Sequence, residues 1–422
     1  MINRDSLAAT QTTVLQPGFI RPAYGRYCFA HLPDTVRRLF GLPAAQPLPD
    51  DVLPAGDDFD RVVLFLIDAL GWRFFEDYAD RSPFLREASD HGVISRLTAQ
   101  FPSTTAAHVT TLHTGLGVAA SGIHEWFYYE PQADLVIAPL LFSPAGASNG
   151  ELLARRGLRP EQIFPAPTLY QDLERRGVAS FVFHHRAYAR STYSAHVTRG
   201  AETVPYLTLA EALSGLTARL ARPPRPAYYV LYFDAVDALS HQYGPAAPQV
   251  AAEVEALFWQ LERFLRSLAG RQPRTLFLLT ADHGQVDIDP ATTIYLNRRL
   301  PEITGWLRRD RRGRPLLFGG SARDFFLYVR EEARDEAQAR LAEALAGRAT
   351  VHRTADLIAQ GLFGPAPAAP RLLDRIGNLV ILPGDGESVY WHEPGRFAQV
   401  FYGHHGGLTP GEMHIPLLAY PF

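Results

Sequence analysis

The chain has 422 residues, 47% of them apolar and 20% charged, with a formal net charge of −3. Those proportions belong to a globular protein, and the near-balance of charge excludes a general pull toward nucleic acid or an anionic membrane. No apolar run reaches the roughly eighteen residues a membrane-spanning helix needs, and the absence of any lysine among the 41 basic residues rules out a lysine Schiff base, a pyridoxal phosphate site and a P-loop of the usual kind.

A chain of this size buries a large core, either as one α/β domain with insertions or as two domains. Residues 1–60 are rich in proline and alanine, as in Leu42-Pro43-Ala44-Ala45-Gln46-Pro47-Leu48-Pro49, and read as an irregular lead-in packed on the core. Met1-Ile2-Asn3-Arg4-Asp5 is not followed by an apolar segment of the signal-peptide type. With Cys28 as the single cysteine, no intramolecular disulfide forms, and a cytoplasmic location is expected.

The core begins at Arg61. Three apolar runs have the look of strands buried on both faces: Val62–Ile67, Tyr228–Phe233 and Leu276–Leu279. A fourth, Ala179–Phe183, precedes His184-His185. The segment Ala221–Ala227, with Pro223-Pro224, is a connector. From Gln249 to Leu268 the positions Val250, Val254, Leu257, Phe258, Leu261, Phe264, Leu265 and Leu268 fall at helical spacing and mark one long core-facing helix. Strands alternating with helices argue for an α/β fold with a mostly parallel central sheet sandwiched by helices.

Between residues 283 and 405 no ligand set stands out. Phe325–Val329 and Leu379–Leu382 read as strands and Asp335–Ala346 as an amphipathic helix, so residues 301–394 are expected to form an α+β insertion near the active site. Residues 61–300 and 395–422 would form the catalytic core. Pro365–Pro370 is a loop within the insertion, and the basic run Arg308–Arg314 reads as a solvated turn.

The chemistry-bearing residues sit just past the apolar runs. Asp68 follows the first, Asp234 and Asp237 the second, and Asp282-His283 the third, where the ends of parallel strands converge on ligands. Asp237 and His241, four apart, share a helix face. Three carboxylates and three imidazoles, counting His405, suit zinc, or manganese, better than calcium, and suffice for two divalent ions. In Phe101-Pro102-Ser103-Thr104-Thr105-Ala106 a helix begins, with Ser103 or Thr104 available as its cap. A hydroxyl there feels the positive end of the helix dipole, and a bound metal lowers a hydroxyl's pKa much further. Phosphate charge not met by metal falls to arginine, hydroxyls or backbone N–H groups.

Taken in order from Asp68 to His405, these motifs resemble the alkaline phosphatase superfamily on its nucleotide pyrophosphatase/phosphodiesterase side. In that family the nucleophile lies nine residues before the threonine of a Thr-Gly pair, and Thr114-Gly115 points back to Thr105. The resemblance implies one metal held by Asp68, Thr105, Asp282 and His283, and another by Asp237, His241 and His405. It also implies in-line attack by Thr105, a covalent threonine–phosphate intermediate, and net retention at phosphorus after water attacks from the vacated side. The expected substrate is a small phosphate ester, with a nucleotide as one candidate and no nucleic-acid partner. Family members that cleave nucleotides carry a phosphate-holding Asn twelve residues past the Thr-Gly threonine; here Trp126 stands there, in His124-Glu125-Trp126-Phe127-Tyr128-Tyr129, and it is the member of that aromatic stretch placed to meet substrate.

Other chemistries share these motifs. A phosphomonoesterase and a phosphonate hydrolase both remain compatible with the same threonine and metals. A sulfatase needs Cys or Ser for formylglycine, and a phosphoglycerate-mutase-like isomerase places Ser at the nucleophile, so Thr105 disfavours both. A non-catalytic metal-bound binding module fits the full ligand set least well.

Overall fold

The computed structural model describes residues 1–56, 59–222, 225–268 and 274–421, so Pro223 and Pro224 of the expected connector lie outside the described residues. Seven strands make the central sheet: β1 (Arg61–Ile67), β2 (Val93–Thr98), β3 (Ala179–His185), β4 (Glu202–Tyr206), β5 (Ala227–Phe233), β6 (Thr275–Thr280) and β7 (His414–Pro421). Their spatial order is β2-β7-β6-β1-β5-β3-β4. β1 pairs in parallel with β5 and β6, and β3 in parallel with β5 and β4. β7 runs antiparallel to both its neighbours.

Every residue of β1 and β6 is buried, as a strand covered on both faces requires. One cover is the helix Pro248–Leu268, which buries the same eight apolar side chains that the spacing selected. Its Phe264 stacks on Phe65 of β1 at 5.8 Å, and Phe258 stacks at 5.8 Å on Phe84 of the helix Pro83–His91. On the other face Tyr228 of β5 stacks on Tyr170 at 6.2 Å, within the helix Leu169–Glu174.

Residues 1–60 are less irregular than their composition predicts. Asn3 accepts from Ser6 N and caps a helix over Arg4–Gln11, and a second helix covers Leu32–Leu39 with Pro33 in its first turn. A good cap and a packed face outweigh composition. β7 was also hidden in the sequence, since Pro416 argues against an interior strand. Its carbonyl accepts from Thr280 Oγ1 of β6 at 2.7 Å, and it sits opposite Arg96 of β2.

A four-stranded antiparallel sheet lies within the expected insertion. It has the order Gly319–Gly320, Phe325–Leu327, Leu379–Pro383, Ala349–Arg353, and the helix Arg334–Ala344 lies against it. The Arg308–Arg314 run is a turn closed on Asp310, whose carboxylate accepts from the backbone N of Arg312 and Arg314. The buried Arg323 guanidinium joins this region to the chain just before β7. It pairs with Glu412 at 2.9 Å, both side chains being wholly buried, and Glu412 also accepts from Gly407 N and Thr409 N. No described helix is long and apolar enough to cross a membrane.

Candidate active site

The parallel strands end on one edge, and the chain places its polar groups there. Asp68 leaves β1, Asp282 and His283 follow β6, and the helix Ala235–Tyr243 after β5 carries Asp237 and His241. His405 comes from the loop before β7, and Thr105 opens the helix Thr105–Thr114.

Neither expected cap hydroxyl caps that helix. Thr104 holds the cap position in extended conformation, but its Oγ1 donates to His124 O at 3.0 Å, and Ser103 Oγ donates to Gly407 O at 2.8 Å. Both hydroxyls tie the loop before Thr105 to neighbouring segments and leave the helix's first N–H groups available to a ligand. Ala69, buried just after Asp68, adopts φ 60°, a conformation that strains a residue with a Cβ. Its N–H donates to Asp282 Oδ1 at 3.1 Å, so the strained turn locks two carboxylates together. Gly71 is required by a close crossing, since a Cβ there would lie 2.8 Å from the Cα of Gly284.

The Thr105 hydroxyl lies 3.1 Å from His283 Nε2 and 3.5 Å from Asp68 Oδ2. His283 Nε2 is 3.4 Å from Asp68 Oδ1 and 3.3 Å from Asp282 Oδ2, so Asp68, Asp282 and His283 form one compact group of ligand atoms. A second group consists of Asp237, His405 and again His283. His241 approaches it through Asp237 Oδ1 at 3.4 Å. The His283 and His405 rings stack 3.6 Å apart, so the two groups share a wall.

Three details fit a cation. Asp68 Oδ1 and Asp282 Oδ2 are buried with no hydrogen-bond partner among the described residues, which is costly unless a positive charge meets them. The Nδ1 atoms of His241, His283 and His405 each face a backbone carbonyl, of Gly403, Gly284 and Ser103, at 2.8, 3.1 and 2.9 Å. A carbonyl only accepts, so Nδ1 carries the proton and Nε2 keeps its lone pair for a ligand. Burial drives the pKa of His283 and His405 well below the ordinary value, keeping both neutral. The carboxylates go the other way. Burial first, then the neighbouring Asp282 and Asp237, raise Asp68 well above its usual range, and burial pushes Asp282 up to about 7. Such repulsion is what bound cations relieve.

Several contributors escaped the sequence reading. The Tyr232 hydroxyl donates to Asp68 Oδ2, and Gln285 Nε2 to Asp237 Oδ1. The strand register of Tyr232 and the place of Gln285 beside Asp282-His283-Gly284 were the available signals. Glu125 and Asp324 are wholly buried neighbours, and Glu125 Oε1 and Asp324 Oδ2 have no hydrogen-bond partner among the described residues. Glu125 Oε2 accepts from Trp126 N, and burial pushes its carboxyl up to about 8. Ser321 Oγ bridges Asp324 Oδ1, at 2.6 Å, and His405 O, at 3.1 Å.

Two cavities flank Thr105. One, of about 320 Å³, is lined by Glu125, Phe127, Ser321, Tyr390, Phe401 and His404, among others; the second, of about 270 Å³, by Leu140, Leu141, Tyr188, Tyr193, Ser194 and Asp234, among others. Trp126, 38% exposed, lines both. Phe127 and Tyr128 of the same stretch pack into apolar clusters.

The family model for type I phosphodiesterase/nucleotide pyrophosphatase matches residues 62–407. Ectonucleotide pyrophosphatase/phosphodiesterase family member 3 of Rattus norvegicus is 24% identical over 287 residues, 66% of this chain and 31% of that protein, so the chain spans about a third of the curated relative's length. Among solved structures, human ectonucleotide pyrophosphatase/phosphodiesterase 5 superposes with a TM-score of 0.64 at 17% identity, covering 85% of this chain and 87% of the other. An inactive form of the murine counterpart, in complex with AMP, gives 0.63 at 17% identity over the same shares. Phosphonoacetate hydrolase from Sinorhizobium meliloti, in complex with phosphonoacetate, gives 0.61 at 18% identity, covering 85% and 89%. These likenesses share the α/β fold with its mostly parallel sheet, and the family is metal-dependent. The chain belongs to the type I phosphodiesterase/nucleotide pyrophosphatase family of hydrolases, within the alkaline phosphatase superfamily.

Proposed function

We propose that this chain is a two-metal phosphodiesterase in which Thr105 is the nucleophile. The observation that carries the reading is the placement of the Thr105 hydroxyl at a helix N-terminus, 3.1 Å from His283 Nε2 and beside two carboxylate oxygens without partners. Asp68, Asp282 and His283 would hold one divalent ion with Thr105, and Asp237, His241 and His405 the other; zinc is the first candidate and manganese the second. When bound, such ions lower the pKa of a coordinated hydroxyl and neutralise charge on phosphoryl oxygens.

The chain's own groups do the positioning. Tyr232 and Ala69 N orient the carboxylates, and the carbonyls of Gly403, Gly284 and Ser103 fix the imidazoles. Thr105 Oγ1, its proton passed to water, attacks phosphorus in line, and the ester oxygen opposite departs and takes a proton from water, leaving a threonine–phosphate that keeps the other ester arm. Water entering from the vacated side hydrolyses it, so the configuration at phosphorus is retained. The free N–H groups of the helix's first turn face the phosphoryl oxygens and replace part of what the family asparagine does at the position of Trp126.

A nucleotide ester is one substrate candidate, because the murine neighbour holds AMP. A second reading, cleavage of a carbon–phosphorus bond, is favoured by the likeness to phosphonoacetate hydrolase. Bis-(p-nitrophenyl) phosphate, a nucleoside p-nitrophenyl phosphate, p-nitrophenyl phosphate and phosphonoacetate, assayed side by side on wild type and Thr105→Ala with metal content determined on both, test the proposal. Diester cleavage abolished in the variant, with about two ions per chain in the wild type, is expected. Undiminished activity in Thr105→Ala overturns the nucleophile, and a preference for the monoester or the phosphonate overturns the substrate class.

A further inference from the structure

The walls of the two cavities carry a signal about charge. Arginine supplies every basic residue of the chain, 41 in all, yet among the described residues none lines either cavity beside Thr105. The protein does build arginine into cavities elsewhere: a space of about 460 Å³, away from the catalytic residues, is lined by Arg156, Arg314 and Arg396. Around Thr105 the walls beyond the ligand residues are aromatic, aliphatic and hydroxyl-bearing, with Glu125 on one side and Asp234 on the other. In the second cavity the non-ligand histidines His113 and His184 are buried, and burial lowers the pKa of both, so neither supplies a cation. Arg190 is solvent-exposed beside Ser191 and does not line the cavity.

The charge at the reacting centre closes on itself. On the reading above, two divalent cations are met by Asp68, Asp237, Asp282 and the ionised Thr105, which leaves one phosphodiester monoanion as the net charge. A second anionic group on the substrate would enter a cavity whose described walls hold no arginine to meet it, at short range and low effective dielectric. Extra phosphates in a nucleoside di- or triphosphate and the carboxylate of a phosphonoacetate-like molecule both bring such a group.

We propose that the substrate is a phosphodiester whose two substituents carry no negative charge, one seated between Trp126, Tyr390 and Phe401 and the other against Tyr188, Tyr193 and Leu141. The inference rests on the phosphodiesterase reading and narrows it to esters with neutral or positively charged arms.

A matched set of diesters tests it: phenyl, 4-carboxyphenyl and 4-(trimethylammonio)phenyl p-nitrophenyl phosphate, which share leaving group and shape. The carboxyphenyl ester is expected to show a kcat/KM lower than the phenyl ester by about ten-fold or more, with the trimethylammonio ester equal or higher. Leu141→Arg in one cavity and Phe401→Arg in the other replace part-exposed side chains, and at least one should raise the carboxyphenyl-to-phenyl ratio by about ten-fold. A carboxyphenyl ester cleaved as well as the phenyl ester, or a ratio unmoved in both variants, overturns the proposal. If no diester is turned over, the phosphodiesterase reading fails, and calorimetric binding of the three esters to Thr105→Ala still decides the charge question: weaker binding of the anionic ester supports the inference and equal or tighter binding overturns it.

Discussion

Replacing Glu125 by glutamine isolates the buried pair it forms with Asp324. Both carboxyls are wholly buried, and burial holds Glu125 protonated from an ordinary 4.5 up to about 8. A carboxyl whose folded pKa is raised lends stability that is fully present below its unfolded value and is lost as pH rises through its folded value, because over that window only the folded state keeps the proton. At about 1.4 kcal/mol per pKa unit, roughly 5 kcal/mol is the ceiling for an isolated group over the whole window; the part between about pH 6 and about 8 amounts to about 2–3 kcal/mol. The amide keeps the shape and cannot ionise. Thermal denaturation of metal-loaded wild type and Glu125→Gln at constant ionic strength, from about pH 6 to about pH 9.5, should show the wild type falling away on the alkaline side while the variant stays flatter and becomes the more stable protein. Parallel curves across that range would refute the reasoning.

Glu412→Gln should cost about 3–5 kcal/mol in chemical denaturation, because it strands the buried Arg323 charge; the double variant with Arg323→Met should recover a good part of that loss. Tyr232→Phe removes the hydroxyl that donates to Asp68, and metal affinity measured by competition with a chelator should fall by about 10- to 100-fold with the fold intact. Since ligands must lose their protons to bind, and Asp282 holds its proton up to about 7, metal affinity should drop steeply as pH falls below about 7; an affinity independent of pH from about 5 to 8 would contradict the site's electrostatics. Chelation should abolish diester hydrolysis, and readdition of zinc or manganese should restore it.

Much of the fold could be read in the residues. The apolar runs ending at Ile67, Phe233 and Leu279 are strands because apolar residues in unbroken sequence need cover on both faces, and the eight-position stripe from Val250 to Leu268 could only face a core. Each polar residue just past such a run was marked as part of a strand-end site by its position alone. β2, β4 and β7 were not marked, because short strands with mixed polarity or an internal proline depend on partners distant in sequence. The caps expected from Ser103 and Thr104 failed for the same reason, since tertiary acceptors at Gly407 and His124 took their hydroxyls.

The sequence by itself determined the candidate ligand residue types and their order along the chain, since these depend on local periodicity and on side-chain chemistry. Only the tertiary structure decided that His283 stands in both candidate ligand groups, that Glu125 lies beside Asp324 across 199 residues of chain, and that, among the described residues, no arginine lines the cavities on either side of Thr105. Those facts belong to the folded chain: distance and burial set them, and both arise from contacts between segments that have no local relation in the sequence.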